Sequence, residues 1–142
     1  MEAQEEKDFE QLINIFFPFA EELLRKFGEF HPFAGAINNE GEVVSVGQFD
    51  NTAQQPSGQM VTQLKDALRT GKDQFKAGTV FYDVRTTDSQ TGEPTDAIAV
   101  FIEHREGKTA YEFLYPYQLH GAEEISMRES FGSALQKEIF GS

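Results

Sequence analysis

The chain has 142 residues, with 24 acids against 12 bases, a net charge of −12, fourteen phenylalanines, and neither cysteine nor tryptophan. Disulfides and cysteine-ligated zinc are excluded, and the acidic field repels phosphate backbones and anionic lipid, which leaves a basic protein as the electrostatically permitted partner. Residues 1–8 are acidic and polar, the reverse of a signal peptide, and no apolar run approaches the ~20 residues of a membrane span, so one cytoplasmic α+β domain over 1–142 is expected.

The spacing of Phe9, Leu12, Ile13, Phe16, Ala20, Leu23, Leu24 and Phe27 predicts an amphipathic helix over residues 8–27. Asp8 and Gln11 suit a capping box, Gly28 suits the left-handed C-terminal position, and Pro18 falls on the solvent side. So much apolar area on one stripe requires the helix to lie on a sheet.

Residues 33–37 and 42–47 then read as a hairpin across Asn38-Asn39-Glu40-Gly41, with Gly35 and Gly47 marking a bulge or a close approach. After a polar loop over residues 50–57, Ser57 is the expected N-cap of a second helix ending near Thr70, with Met60, Val61, Leu64, Ala67 and Leu68 on its apolar side. Residues 72–77 could add one more turn before Gly78.

Residues 79–117 read as three consecutive antiparallel strands. A two-residue loop at Glu106-Gly107 sets Glu103 opposite Ala110, Ile102 opposite Tyr111, Val100 opposite Phe113 and Ile98 opposite Tyr115, which gathers the apolar residues on one face. Upstream, Val80, Tyr82 and Val84 are expected on that same face. Asp83, Arg85, Ala97, Ala99, Phe101, Glu103, Glu112 and Leu114 would then share the reverse face. Met127, Phe131, Leu135 and Ile139, at spacings of four, predict a closing helix weakened by Gly132.

The order is thus α-β-β-α-β-β-β-α around a single five-stranded antiparallel sheet. It resembles the profilin-like architecture of roadblock-type domains, which implies dimerisation or docking as the role. The segments Phe27-Gly28-Glu29-Phe30-His31-Pro32-Phe33, Tyr82-Asp83-Val84-Arg85 and Asp96-Ala97-Ile98 also resemble a family of short bacterial proteins, a likeness that implies no activity.

No catalytic or metal motif is present. His31, His104 and His120 lack a second ligand at helical spacing, and no nucleophile elbow or phosphate loop occurs. Arg85, beside Ala97 and Ala99 and flanked by Asp83 and Glu112, could receive a carboxylate; the alternatives are a solvated sheet face, or alanines that admit the second helix. Glu103 with Asp83 is a weaker acid–base pair, and His104 is read as a rim residue.

The favoured function is a non-catalytic protein-interaction module, homodimeric, without cofactor, docking a protein partner, of which a basic protein is one version. The alternative is a small-molecule sensor with a pocket between sheet and first helix lined by Tyr82, Tyr111, Tyr115 and phenylalanines. A hydrolase or isomerase built on His104 or on Asp83, Arg85 and Glu112 ranks third.

Overall fold

The computed structural model describes residues 2–50, 52–88, 90–121 and 124–141. Met1, Asn51 and Ser89, assigned from sequence to polar segments, lie outside that set. Among the described residues two helices, α1 (Ala3–Phe27) and α2 (Ser57–Thr70), accompany the strands β1 (Phe33–Asn38), β2 (Val43–Gln48), β3 (Phe75–Thr87), β4 (Pro94–His104), β5 (Ala110–His120), β6 (Glu124–Met127) and β7 (Phe131–Leu135). The strands form one antiparallel sheet of seven, ordered β2-β1-β3-β4-β5-β6, with β7 also paired to β5.

The α+β class stands, but the sheet has seven strands rather than five. The closing helix is replaced by β6 and β7. Met127 pairs with Tyr117, while Phe131 and Leu135 pair with Leu114 and Ala110. A spacing of four is also two strand repeats, so the pattern fits either state. The outer edge of β5 decides between them, because its backbone groups need partners. The four residues do not form one stripe: Met127 packs on the α1 side of the sheet and Leu135 on the α2 side.

The β4–β5 register is the one expected, with Glu103 opposite Ala110, Ile102 opposite Tyr111, Val100 opposite Phe113 and Ile98 opposite Tyr115. The turn that sets it differs. Gly107 donates its N–H to the His104 carbonyl at 3.1 Å and has no positive φ. It is a glycine for a different reason, since an added Cβ would lie 2.6 Å from Glu5 Oε2 on α1.

Strand β3 is offset by one residue from the expectation. Phe81 faces Val100, Thr79 faces Ile102 and Asp83 faces Ile98, so Phe81 joins the α1 core while Val80 joins the α2 core. Both alternations of this strand carry apolar residues, and the connection over residues 88–94 is long enough not to fix the pairing. Asp83 and Arg85 therefore lie on the side opposite Glu103 and Glu112.

Helix α1 begins earlier than its apolar stripe. Its capping box is formed by Glu2 and Glu5, with the Glu2 N–H donating to Glu5 Oε1 at 3.3 Å. Asp8, expected as the cap, faces inward. Gly28 closes the helix at φ +76, its N–H donating to the Leu24 carbonyl at 2.8 Å. Helix α2 starts one residue sooner than expected, with Pro56 rather than Ser57 at the N-cap. Residues Lys72–Gln74 form a 3-10 turn, and β3 starts at Phe75.

The sheet thus separates two cores. The core between α1 and the sheet holds Phe9, Leu12, Leu24, Phe33, Ile37, Phe81, Ile98, Val100 and Ile102; the core on the α2 side holds Ala34, Ala36, Leu64, Leu68, Val80, Phe101 and Ile139. Two glycines admit the helices: a Cβ on Gly35 would run into the Phe16 ring of α1, and one on Gly47 would meet Leu64 of α2 at 2.9 Å.

Candidate functional site

The eight residues singled out in the sequence fall into separate groups. On the α1 side, Asp83 accepts a hydrogen bond from the Tyr117 hydroxyl at 2.7 Å. Burial, then the charges of Asp96 and Glu29, push the Asp83 carboxyl up to about 6, against hydrogen bonds from Tyr117 and the Phe30 backbone. Arg85 extends into solvent and pairs with Asp96 at 3.2 Å. On the α2 side, the Tyr82 hydroxyl donates to Glu112, and burial followed by that carboxylate raises the phenol's pKa.

Glu103 and His104 are buried, so His104 is not a rim residue. The Glu103 carboxylate accepts the backbone N–H groups of Glu138, Ile139 and Phe140, which holds the segment after β7 against the α2 core. The imidazole of His104 accepts the Glu106 N–H at Nδ1, at 3.1 Å, so its Nε2 carries the proton donated to Asp8 at 2.8 Å. Lys76 lies 3.4 Å from the other Asp8 oxygen.

Tyr111 and Tyr115 face α1, whereas Tyr82 is on the other side of the sheet, so the three tyrosines do not line one pocket. Phe9 packs edge-on against Tyr111 with ring centroids 6.0 Å apart, and Phe17 does the same to Tyr115 at 4.9 Å. Helix side chains therefore fill most of the expected space, and of the three tyrosines only Tyr115 lines an opening there, of about 320 Å³, with Phe17, Pro18 and Met127. Among the described residues, no three His, Cys, Asp or Glu side chains gather where they could hold a metal ion. No described helix is long and apolar enough to cross a membrane.

An open cleft lies elsewhere, where the end of α1, the turn into β1 and the end of β2 meet. It has a volume of about 530 Å³ and is walled by Phe19, Leu23, Phe27, Phe30, Phe33 and Phe49, with Glu29, His31, Gln48 and Asp50 also lining it. That volume falls within the ~300–1,000 Å³ of ligand sites. Phe33 is the fixed element of the wall. It stacks on Phe81 at 5.2 Å with an interplanar angle of 12°, and Phe19 meets it edge-on at 4.9 Å.

Phe27, assigned from its spacing to the buried stripe, is 53% exposed on the cleft wall, and Phe19 is 39% exposed. Ile15, one turn before Phe19, is 50% exposed and continues the apolar surface along α1. The sequence signal was the density of aromatics in Phe27-Gly28-Glu29-Phe30-His31-Pro32-Phe33. Nothing local says that Phe49, beyond the next hairpin, joins them.

The polar lining is acidic. Asp50 accepts the Thr52 N–H at 2.9 Å, and hydrogen bonds from Thr52 lower its pKa, with His31 adding a smaller pull. Neither Glu29 nor Asp50 forms an ion pair among the described residues. The nearby helix cations are engaged within α1, Arg25 with Glu21 and Glu22 and Lys26 with Glu22.

Comparison of the chain with protein families, with curated proteins and with solved structures gave no match. Fold and site together define an acidic α+β protein with an aromatic cleft at the end of its first helix.

Proposed function

We propose that the protein is a non-catalytic interaction module that docks a basic, amphipathic protein segment along α1 and into the aromatic cleft. One observation carries this reading. Among the described residues the exposed large hydrophobics are Ile15, Phe19 and Phe27, all on α1, and two of them wall the cleft. Leaving such a half-exposed side chain in water forgoes roughly half of the ~1.5–3 kcal/mol that full burial would give, and contiguous apolar exposure marks an interaction surface. The net charge of −12 and the placement of Glu29 and Asp50 on the cleft lining favour a cationic partner. The dispersal of the titratable candidates over both faces of the sheet supports a non-catalytic role.

Two copies meeting at this surface would bring Glu29 and Asp50 of each together. The homodimer expected from sequence is therefore proposed at another place, the outer edge of β2, which ends the sheet; light scattering tests it. The alternative of a small-molecule sensor is favoured by the volume of the cleft.

Fluorescence anisotropy with an amphipathic Lys/Leu helical peptide, against its Glu/Leu counterpart, tests the docking. The basic peptide should bind, more weakly as salt rises. Phe27→Asp, at an exposed position, should weaken it by on the order of tenfold without lowering the melting temperature. Equal binding of the acidic peptide, or of the variant, overturns the reading.

A further inference from the structure

We infer that the anchor the cleft accepts is a cationic side chain of the docking partner, a lysine ammonium or arginine guanidinium, held over phenylalanine faces and between carboxylates. The inference rests on the docking reading and specifies its chemistry. Five phenylalanines wall the cleft: Phe19, Phe27, Phe30, Phe33 and Phe49. The face of such a ring carries the negative end of its quadrupole and attracts a cation within about 6 Å of the centroid. Glu29 and Asp50 stand beside those rings, and among the described residues no lysine or arginine lines the cleft to neutralise them.

His31 is the one base among the described residues that line the cleft. Thr52 fixes the Asp50 carboxylate in place through its N–H. A lysine stem can lie along the rings while its ammonium reaches the carboxylates, so the charge is never stranded in an apolar interior.

The protein already contains this arrangement within its own structure. Lys65 Nζ lies 4.3 Å from the centroid of the Phe101 ring and 2.9 Å from Glu138 Oε2. The cleft offers the same two partners, ring and carboxylate, to a cation from outside.

The test is a pair of NMR titrations on the full chain, with N-acetyl-lysine amide and N-acetyl-norleucine amide, which differ only in the ammonium group. The lysine compound should bind more tightly by about fivefold, with shifts centred on residues 27–33 and 48–50. The preference should approach unity in Phe27→Leu/Phe49→Leu, which keeps apolar area but removes two rings, and in Glu29→Gln/Asp50→Asn, which keeps the shape. The second pair lies at exposed positions, so it decides the matter even where the first lowers stability. Norleucine binding as well as lysine, or neither binding, overturns the inference while the peptide result for docking stands. A lysine preference in a protein that binds no basic peptide overturns the assignment to a protein partner and makes the cleft a small-amine site.

Discussion

The buried Glu103 carboxylate accepts the Ile139 backbone N–H at 3.1 Å from each of its oxygens, tying β4 to a segment 36 residues further along the chain. The N–H groups of Glu138 and Phe140 add bonds of 2.7 and 2.6 Å. Lys65 and Arg69 of α2 hold Glu138 from the other side, at its carboxylate and its carbonyl. One acidic side chain thus organises the last residues of the α2 core. Glu103→Ala should cost about 3–5 kcal/mol, because it strands three donors that water reaches poorly. Glu103→Gln should cost less, as it keeps one acceptor oxygen. Urea unfolding measures both, and an alanine variant as stable as the parent would show that the contacts are incidental.

Two aspartates should shape the pH dependence of stability in opposite senses. Asp83 is raised from its ordinary 3.8 to about 6, mainly by burial. Between those values the folded protein holds a proton that the unfolded chain has released, so Asp83 makes stability fall as pH rises, and its penalty is fully present above about pH 6. Asp83→Asn keeps an acceptor for Tyr117 and should raise stability at neutral pH.

Asp8 works the other way. Burial alone would raise its pKa, but hydrogen bonds from His104 and Gln4 and the charge of Lys76 outweigh burial and lower it. Its contribution is present above the ordinary 3.8 and is lost as pH falls through the lowered value. Asp8→Asn should therefore flatten the acid limb and leave the neutral limb formed by Asp83. Urea melts across the acid-to-neutral range separate the two; identical changes in both variants would refute the assignment.

Strand β1 and helix α1 meet at Gly35. A Cβ on Gly35 would run into the Phe16 ring, and the register of β1 against β2 shifts at this residue. Gly35→Ala should cost about 1–3 kcal/mol through overpacking. Adding Phe16→Leu should recover part of that loss, so the double variant should be more stable than the sum of the singles. Thermal or urea unfolding of the four-member cycle checks this, and strict additivity would mean the helix is displaced rather than crowded.

Much of the fold follows from patterns contained in short stretches. The step of three and four along residues 8–27 makes a helix, and Gly28 ends it, because both depend on neighbours within one turn. The β4–β5 register follows from which residues are apolar, and it survives even though the turn that closes it differs from the expected one. Gly35 and Gly47 mark their close approaches through the absence of a side chain.

Tertiary structure decided what no window of sequence contains. Strand β3 carries apolar residues on both alternations, so only its pairing with β1 and β4 placed Phe81 under α1 and Val80 under α2, and with them Asp83 away from Glu112. Of the residues at spacings of four after β5, Met127, Phe131 and Leu135 entered strands because an open sheet edge needed partners, while Ile139 lies beyond them, its N–H held by the buried Glu103; both are long-range demands. The cleft arose the same way, from phenylalanines of α1, the following turn and the far end of β2 meeting in space. Local sequence sets which face of an element is apolar; only the assembled chain sets which apolar residues are left without a cover.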